Sequence, residues 1–224
     1  MSAGVRGLSG DAYGRLAGML TFYYANGTCA LATHLALEHA KADYVAVRLD
    51  FKAGEQRSPQ YLAVNPKGRV PALVTDRGIL TETPALLQYV AQMHPHSGLL
   101  PLDDPFLLAK ANEFNAYLCA TVHVAHAHRP RASRWADDPQ AQEAMRAKVP
   151  QNMADCFGLI EEKYLAGPWV LGGRFSACDY YLFTIAGWLE SDGVDPKRFP
   201  KVLAHRDAVA ELEAAKRVLG AHKA

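Results

Sequence analysis

Cys29 carries the most chemical information in the chain. It follows Leu20-Thr21-Phe22-Tyr23-Tyr24, a run of β-formers, and the turn signal Asn26-Gly27, and it stands where an Ala/Leu-rich stretch free of Gly and Pro begins. That pattern puts a thiol at the start of a helix behind a strand. Free N–H groups and the positive end of the helix dipole favour the thiolate there, which is the nucleophilic form of cysteine. Three places on stands Ala32, so no resolving thiol follows, and redox work would pass through a mixed disulfide with an external thiol. The plainer alternative is a small buried side chain.

Two dipeptides further on could meet a ligand. Val70-Pro71 stands just before the strand-like Ala72–Thr75. X–Pro bonds are where cis peptides occur, and such a turn would leave the Val70 N–H and C=O to an extended ligand backbone. An ordinary trans proline opening an edge strand is the alternative. Glu82-Thr83 opens the helix that follows. The Thr83 hydroxyl and first-turn N–H groups suit a carboxylate, and Glu82 suits an ammonium, so together they match an amino-acid head group. A plain helix cap is the competing reading.

His123, His126 and His128 invite a metal reading. On one helix, however, they diverge around the wheel, and the i,i+4 pair of an HExxH site is missing, so no metal site is expected.

These residues need elements to hold them. The chain reads as a strand from Leu20, a helix over Thr28 to Ala40, a strand over Asp43–Leu49, a short helix at Tyr61–Val64, a hairpin around Asp76-Arg77-Gly78 and a helix over Thr81–Met93. The order βαβαββα is that of a small α/β unit. Pro- and Gly-bearing clusters over residues 95–104 mark a linker. Residues 105–224 read as all-helical, with punctuation at Pro150 among other places. The long helix from Phe106 to about Arg129 carries an apolar stripe of Leu107, Ala111, Phe114, Leu118, Val122 and Ala125. Its opposite face (Ala109, Asn112, Ala116, Ala120, His123, Ala127) is small rather than charged, which suits close packing by another domain or subunit, or a weakly polar exposed face. Phe175 and Ser176-Ala177-Cys178-Asp179 form a capping box with a hydrophobic staple, starting a helix over Cys178–Leu189. Residues 1–18 are Gly-rich and aperiodic, do not read as a signal peptide, and are expected to be a flexible extension before a first domain over 19–94.

Composition narrows the class of function. Twenty-four basic and 23 acidic residues give a net charge of +1, without the basic excess of a general nucleic-acid binder. No apolar run approaches the ~18 residues of a membrane span. Four cysteines without paired CxxC spacing suit a reduced, cytoplasmic protein.

Taken together, the segments from Leu20 onward resemble the cytosolic glutathione transferases, specifically the bacterial beta-like class. Tyr61-Leu-Ala-Val-Asn-Pro-Lys-Gly-Arg-Val-Pro-Ala-Leu73 followed by Leu80-Thr-Glu-Thr-Pro-Ala-Leu-Leu-Gln-Tyr89 looks like the family's glutathione-binding segment, and Phe175–Phe183 is similar to its N-capping box. The resemblance implies a thioredoxin-like N-terminal domain followed by an all-helical C-terminal domain. It implies glutathione as co-substrate, with no metal. It implies Cys29, Tyr24 and His123 as catalytic residues, and Val70, Pro71, Glu82, Thr83 and Lys52 as the glutathione site. The partner would be a small hydrophobic electrophile, for conjugation, or a mixed disulfide, for thiol exchange, and the enzyme would be a homodimer serving detoxification. A transferase-like fold that binds without turnover is the alternative. Asn26, Ala30 and Ala116 depart from residues common in the family (Pro, Ser and Asn, respectively).

Overall fold

A computed structural model describes residues 19–223; the Gly-rich extension expected over 1–18 lies outside the described residues. The first half folds as β1 (Leu20–Tyr24), α1 (Ala30–His39), β2 (Tyr44–Arg48), α2 (Pro59–Val64), β3 (Ala72–Thr75), β4 (Gly78–Thr81) and α3 (Thr83–Met93). The strands form one sheet in the order β2-β1-β3-β4. β1 pairs parallel with β2 and antiparallel with β3, and the β3–β4 hairpin turns at Asp76-Arg77. The order read from the sequence is therefore observed, and the unit is thioredoxin-like.

Side chains of β1 alternate between the two faces of the sheet, as a period of two requires. Tyr23 packs on Tyr61 of α2, whereas Phe22 and Tyr24 pack on His34 of α1. Helix α1 is buried almost all round, because the sheet, α3 and two helices of the second half, Ala177–Ala186 and Glu213–Lys223, all pack against it.

The second half is helical: α4 (Pro105–Tyr117), a π turn over Leu118–Val122, α5 (His123–Ala127), α6 (Pro139–Leu159), α7 (Ala177–Ala186), α8 (Pro200–Ala210) and α9 (Glu213–Lys223). The first three are successive stretches of the expected long helix. Its stripe is buried at Ala111, Phe114, Leu118, Val122 and Ala125. Two expectations change. Pro150 does not break the chain but lies inside α6, where it removes one ladder hydrogen bond and its ring crowds the carbonyl four residues back. The Pro-rich segment after α3 is not a loose tether: Leu99 and Leu100 are buried, and the Leu99 C=O accepts the Ala177 N–H at 2.7 Å. One core runs through both halves.

The start of α7 shows why. Asp179 is fully buried and accepts the N–H groups of Val170 (2.8 Å) and Ser176 (2.7 Å), while its other contacts are the Ser176 hydroxyl and His205 Nε2. Phe175 stacks on His39 of α1 at 5.4 Å, and His39 Nδ1 pairs with the Tyr180 hydroxyl at 2.8 Å. The capping box read from the sequence thus also joins the two halves.

Candidate active site

A cavity of about 460 Å³ opens between the two halves. The turn after β1, the segment before β3 and the start of α3 form one wall, and the end of the long helix with the turn after it forms the other.

Cys29 stands at the N-cap of α1 and lines the cavity. Thr28 holds the turn: its hydroxyl donates to the Ala25 C=O at 2.7 Å and accepts the Ala30 N–H at 3.3 Å. The next two N–H groups, of Leu31 and Ala32, bond back to the C=O groups of Thr28 and Cys29. Few free donors remain for a thiolate. Cys29 is 8% exposed, and its Sγ faces the Val70 C=O at 3.7 Å. Burial pushes the thiol above its usual range, against the opposing pull of the Thr83 hydroxyl and the Arg131 guanidinium. The expected resting thiolate is therefore corrected. A helix terminus is worth less than about 1 kcal/mol at an exposed site, whereas desolvation shifts buried groups by several units.

The peptide Val70–Pro71 is cis, and the Val70 N–H has no partner among the described residues, so it is open to an extended backbone. Glu82 has φ 74° and ψ 122°, a conformation few side-chain-bearing residues adopt and one that clusters at functional sites. Its carboxylate meets Lys67 Nζ, which also donates to the Thr81 hydroxyl at 2.7 Å. The Thr83 hydroxyl is buried near the Cys29 thiol but has no hydrogen-bond partner within bonding distance.

His123 reaches the same cavity from the start of α5. Burial, then Arg131 and other nearby cations, push its pKa down to about 4, so the ring is neutral near pH 7. The other two histidines go elsewhere. His126 pairs with buried Asp192 at 2.8 Å and stacks on Trp188, and His128 lies against Trp135. Among the described residues no group of three or more His, Cys, Asp or Glu side chains is placed to hold a metal ion.

Cys29, Val70, Pro71, Glu82, Thr83 and His123 thus come together, and Tyr24 and Lys52 do not. The Tyr24 ring lies against His34 and His222, at 5.0 and 4.8 Å, on the sheet face that α9 covers. Lys52 is exposed in the turn after β2, where Phe51 instead reaches the cavity. Arg131 and Arg134, which follow the long helix, and Cys119, Tyr181 and Trp188 also line the cavity, beyond the residues expected from sequence. The run Arg129-Pro130-Arg131-Ala132-Ser133-Arg134 was the available signal for the first two.

Comparison with known proteins fits this geometry. Residues 19–92 match the family profile of the glutathione S-transferase N-terminal domain, and residues 114–213 match that of its C-terminal domain. The chain belongs to the glutathione S-transferase family. Among similar transferases, a glutathione transferase homologue from Sulfitobacter, solved with bound glutathione, shares 45% identity at a TM-score of 0.88, covering 90% of this chain and 97% of that one. Glutathione S-transferase GstA of Escherichia coli O157:H7 is 29% identical over 86% of this chain and 93% of its own. A maleylacetoacetate isomerase of Pseudomonas aeruginosa is 30% identical over 86% and 90%. No helix among the described residues of this transferase is long and apolar enough to cross a membrane.

Proposed function

We propose that this transferase binds glutathione along the Val70 edge and joins its sulfur to an electrophilic carbon. The observation that carries the reading is the meeting, on one cavity wall, of an unpartnered Val70 N–H, an unpartnered Thr83 hydroxyl, the Glu82 carboxylate and the Cys29 thiol. The peptide backbone of glutathione pairs with Val70. Its α-carboxylate takes the Thr83 hydroxyl, and its ammonium takes Glu82. Its sulfur then lies between Cys29 and His123. Arg131, close enough to act on the Cys29 sulfur, supplies the positive charge that favours a glutathione thiolate, because His123 is neutral. The thiol proton leaves to solvent, the thiolate pair forms the S–C bond, and the leaving group departs with its own electron pair.

Thiol exchange is the second reading, favoured by a cysteine beside Arg131. The Cys29 thiolate would attack the glutathionyl sulfur of a mixed disulfide, release the other thiolate, and be restored by a second glutathione, which leaves as glutathione disulfide. Assays with an aryl halide and with hydroxyethyl disulfide separate the two. Under conjugation, Cys29→Ala keeps a measurable rate with the halide; under exchange, it abolishes turnover of the disulfide. Loss of neither activity removes Cys29 from the mechanism, and no retention on a glutathione resin removes the whole reading.

We assign a homodimer on the small face of the long helix, where Ala109, Asn112, Ala116 and Ala120 are exposed in the single chain. Light scattering of the purified chain checks this. Four free thiols suit the reducing cytoplasm.

A further inference from the structure

Four guanidinium groups face one cavity. Arg57 and Arg69 come from the first half, and Arg131 and Arg134 from the turn after the long helix. Among the described residues none of the four has a carboxylate at ion-pair distance or a hydrogen-bond acceptor for its side chain. Outside the cavity, among the described residues, Arg146, Arg174, Arg206 and Arg217 meet carboxylates while Arg48, Arg77, Arg129 and Arg198 do not, so what sets the four apart is that they converge unpaired on one space. The single acid on the cavity wall, Glu82, is already held by Lys67. The four also press on one another, and after burial it is Arg131, Arg69 and Arg57 that bring Arg134 down to about 10. Uncompensated like charge is costly unless an anion completes it.

Glutathione does not use all of it. Of its two carboxylates, one is met by Thr83 at the start of α3. The other lies along the first half, where Arg69 directly precedes Val70 and Arg57 stands nearby. Arg131, which faces the sulfur, and Arg134 meet neither carboxylate of glutathione; both line the opposite wall of the cavity, whose lining also holds Trp135, Trp188 and Tyr181. Arg131 is also the guanidinium that acts on the Cys29 sulfur, and its charge acts in turn on Arg134, so the pair runs outward from the point where a new S–C bond would form.

We propose that the electrophile taken by this site carries a carboxylate, held by Arg131 and Arg134, on a flat apolar body that rests against Trp188 and Trp135. The inference rests on the glutathione reading above. It replaces a wholly hydrophobic acceptor with an amphipathic one. A planar, bidentate guanidinium suits a carboxylate better than a lysine would, and beside an aromatic wall it is only partly hydrated.

Two conjugates that differ in charge alone test it: S-(4-carboxy-2-nitrophenyl)glutathione and the corresponding carboxamide, titrated calorimetrically into the full chain and into Arg134→Gln. The native chain binds the carboxylate at least about ten-fold more tightly than the amide, the scale of one charge-assisted contact. In Arg134→Gln that ratio falls several-fold. Equal affinities in the native chain overturn the inference, as does a ratio that survives both Arg134→Gln and the double change with Arg131→Gln. Glutathione itself is titrated alongside. If glutathione fails to bind, the proposed function falls and takes this inference with it, whereas glutathione binding without charge discrimination removes the inference alone.

Discussion

The starts of α3 and α7 are built from similar residues and finished in opposite ways. Each has a hydroxyl and a carboxylate shared between its cap position and its first turn. At α7, Ser176 and Asp179 satisfy each other and the surrounding backbone, and the buried carboxylate also holds His205. At α3, Glu82 caps nothing, its backbone sits at positive φ, and the Thr83 hydroxyl is buried with no partner. The first arrangement holds the fold together. The second leaves polar groups unsatisfied in the protein alone, a cost of roughly 1–3 kcal/mol per buried group that a ligand can recover. Other helix starts side with α7: Ser58, Asp104 and Asp138 cap α2, α4 and α6, and Glu161 serves α8 from a distance through Lys201 and Val202.

This contrast can be broken most severely at α7. Asp179→Ala removes acceptors for Val170, Ser176 and His205 at once, and it should cost about 3 kcal/mol or more, read as a fall in the urea midpoint. Thr83→Ala should do the reverse. Glutathione affinity drops about ten-fold by calorimetry, while the thermal midpoint stays put or rises slightly, because an orphaned group has been removed. If Thr83→Ala destabilises the chain as Asp179→Ala does, the two helix starts are not different in kind.

Acid sharpens the division away from the cavity. His34 Nδ1 and His222 Nε2 lie 2.9 Å apart, joining α1 to α9, and burial pushes their pKa values to about 3 and about 4. Both are neutral in the fold and take up protons on unfolding once the pH is below about 6.5. Stability is therefore retained above that pH and lost as it falls toward 4. His34 alone should cost about 2 kcal/mol by pH 5, and His34→Gln should flatten the urea-midpoint profile between pH 7 and 5. The smallest effects belong to the two residues outside the cavity. Tyr24→Phe and Lys52→Ala should each leave kcat/KM for glutathione within about two-fold, since neither side chain faces the reacting sulfur. A larger drop would mean that the first strand or its following turn reaches the ligand after all.

What the sequence disclosed was local. Val70-Pro71, Glu82-Thr83, the Asp76-Arg77 hairpin and the Ser176–Asp179 box are each decided by neighbours a few residues away, and all appear where their spacing put them. Even the tyrosine pairing on β1 follows from alternation, since Tyr24 shares a face with Phe22 and so turns from the cavity. What stayed hidden depended on distant chain. The state of Cys29 is set by its burial, against the pull of Thr83 and Arg131, and not by its place on α1 alone. Trp188 on the wall stacks on His126, which Asp192 in turn holds from a distant part of the chain. Arg131 and Arg134 became legible only once the other two guanidiniums were found across the same space.

The π turn over Leu118–Val122 holds one more residue than the helical turns on either side. Because the extra residue is taken up within that turn, excision of Ala120 would restore an α turn and leave His123, Val124 and Ala127 on the faces they now present, whereas loss of a residue from α4 would rotate all three by roughly 100° about the axis. The bulge is thus the place where this helix can change length without exchanging the lining of the cavity.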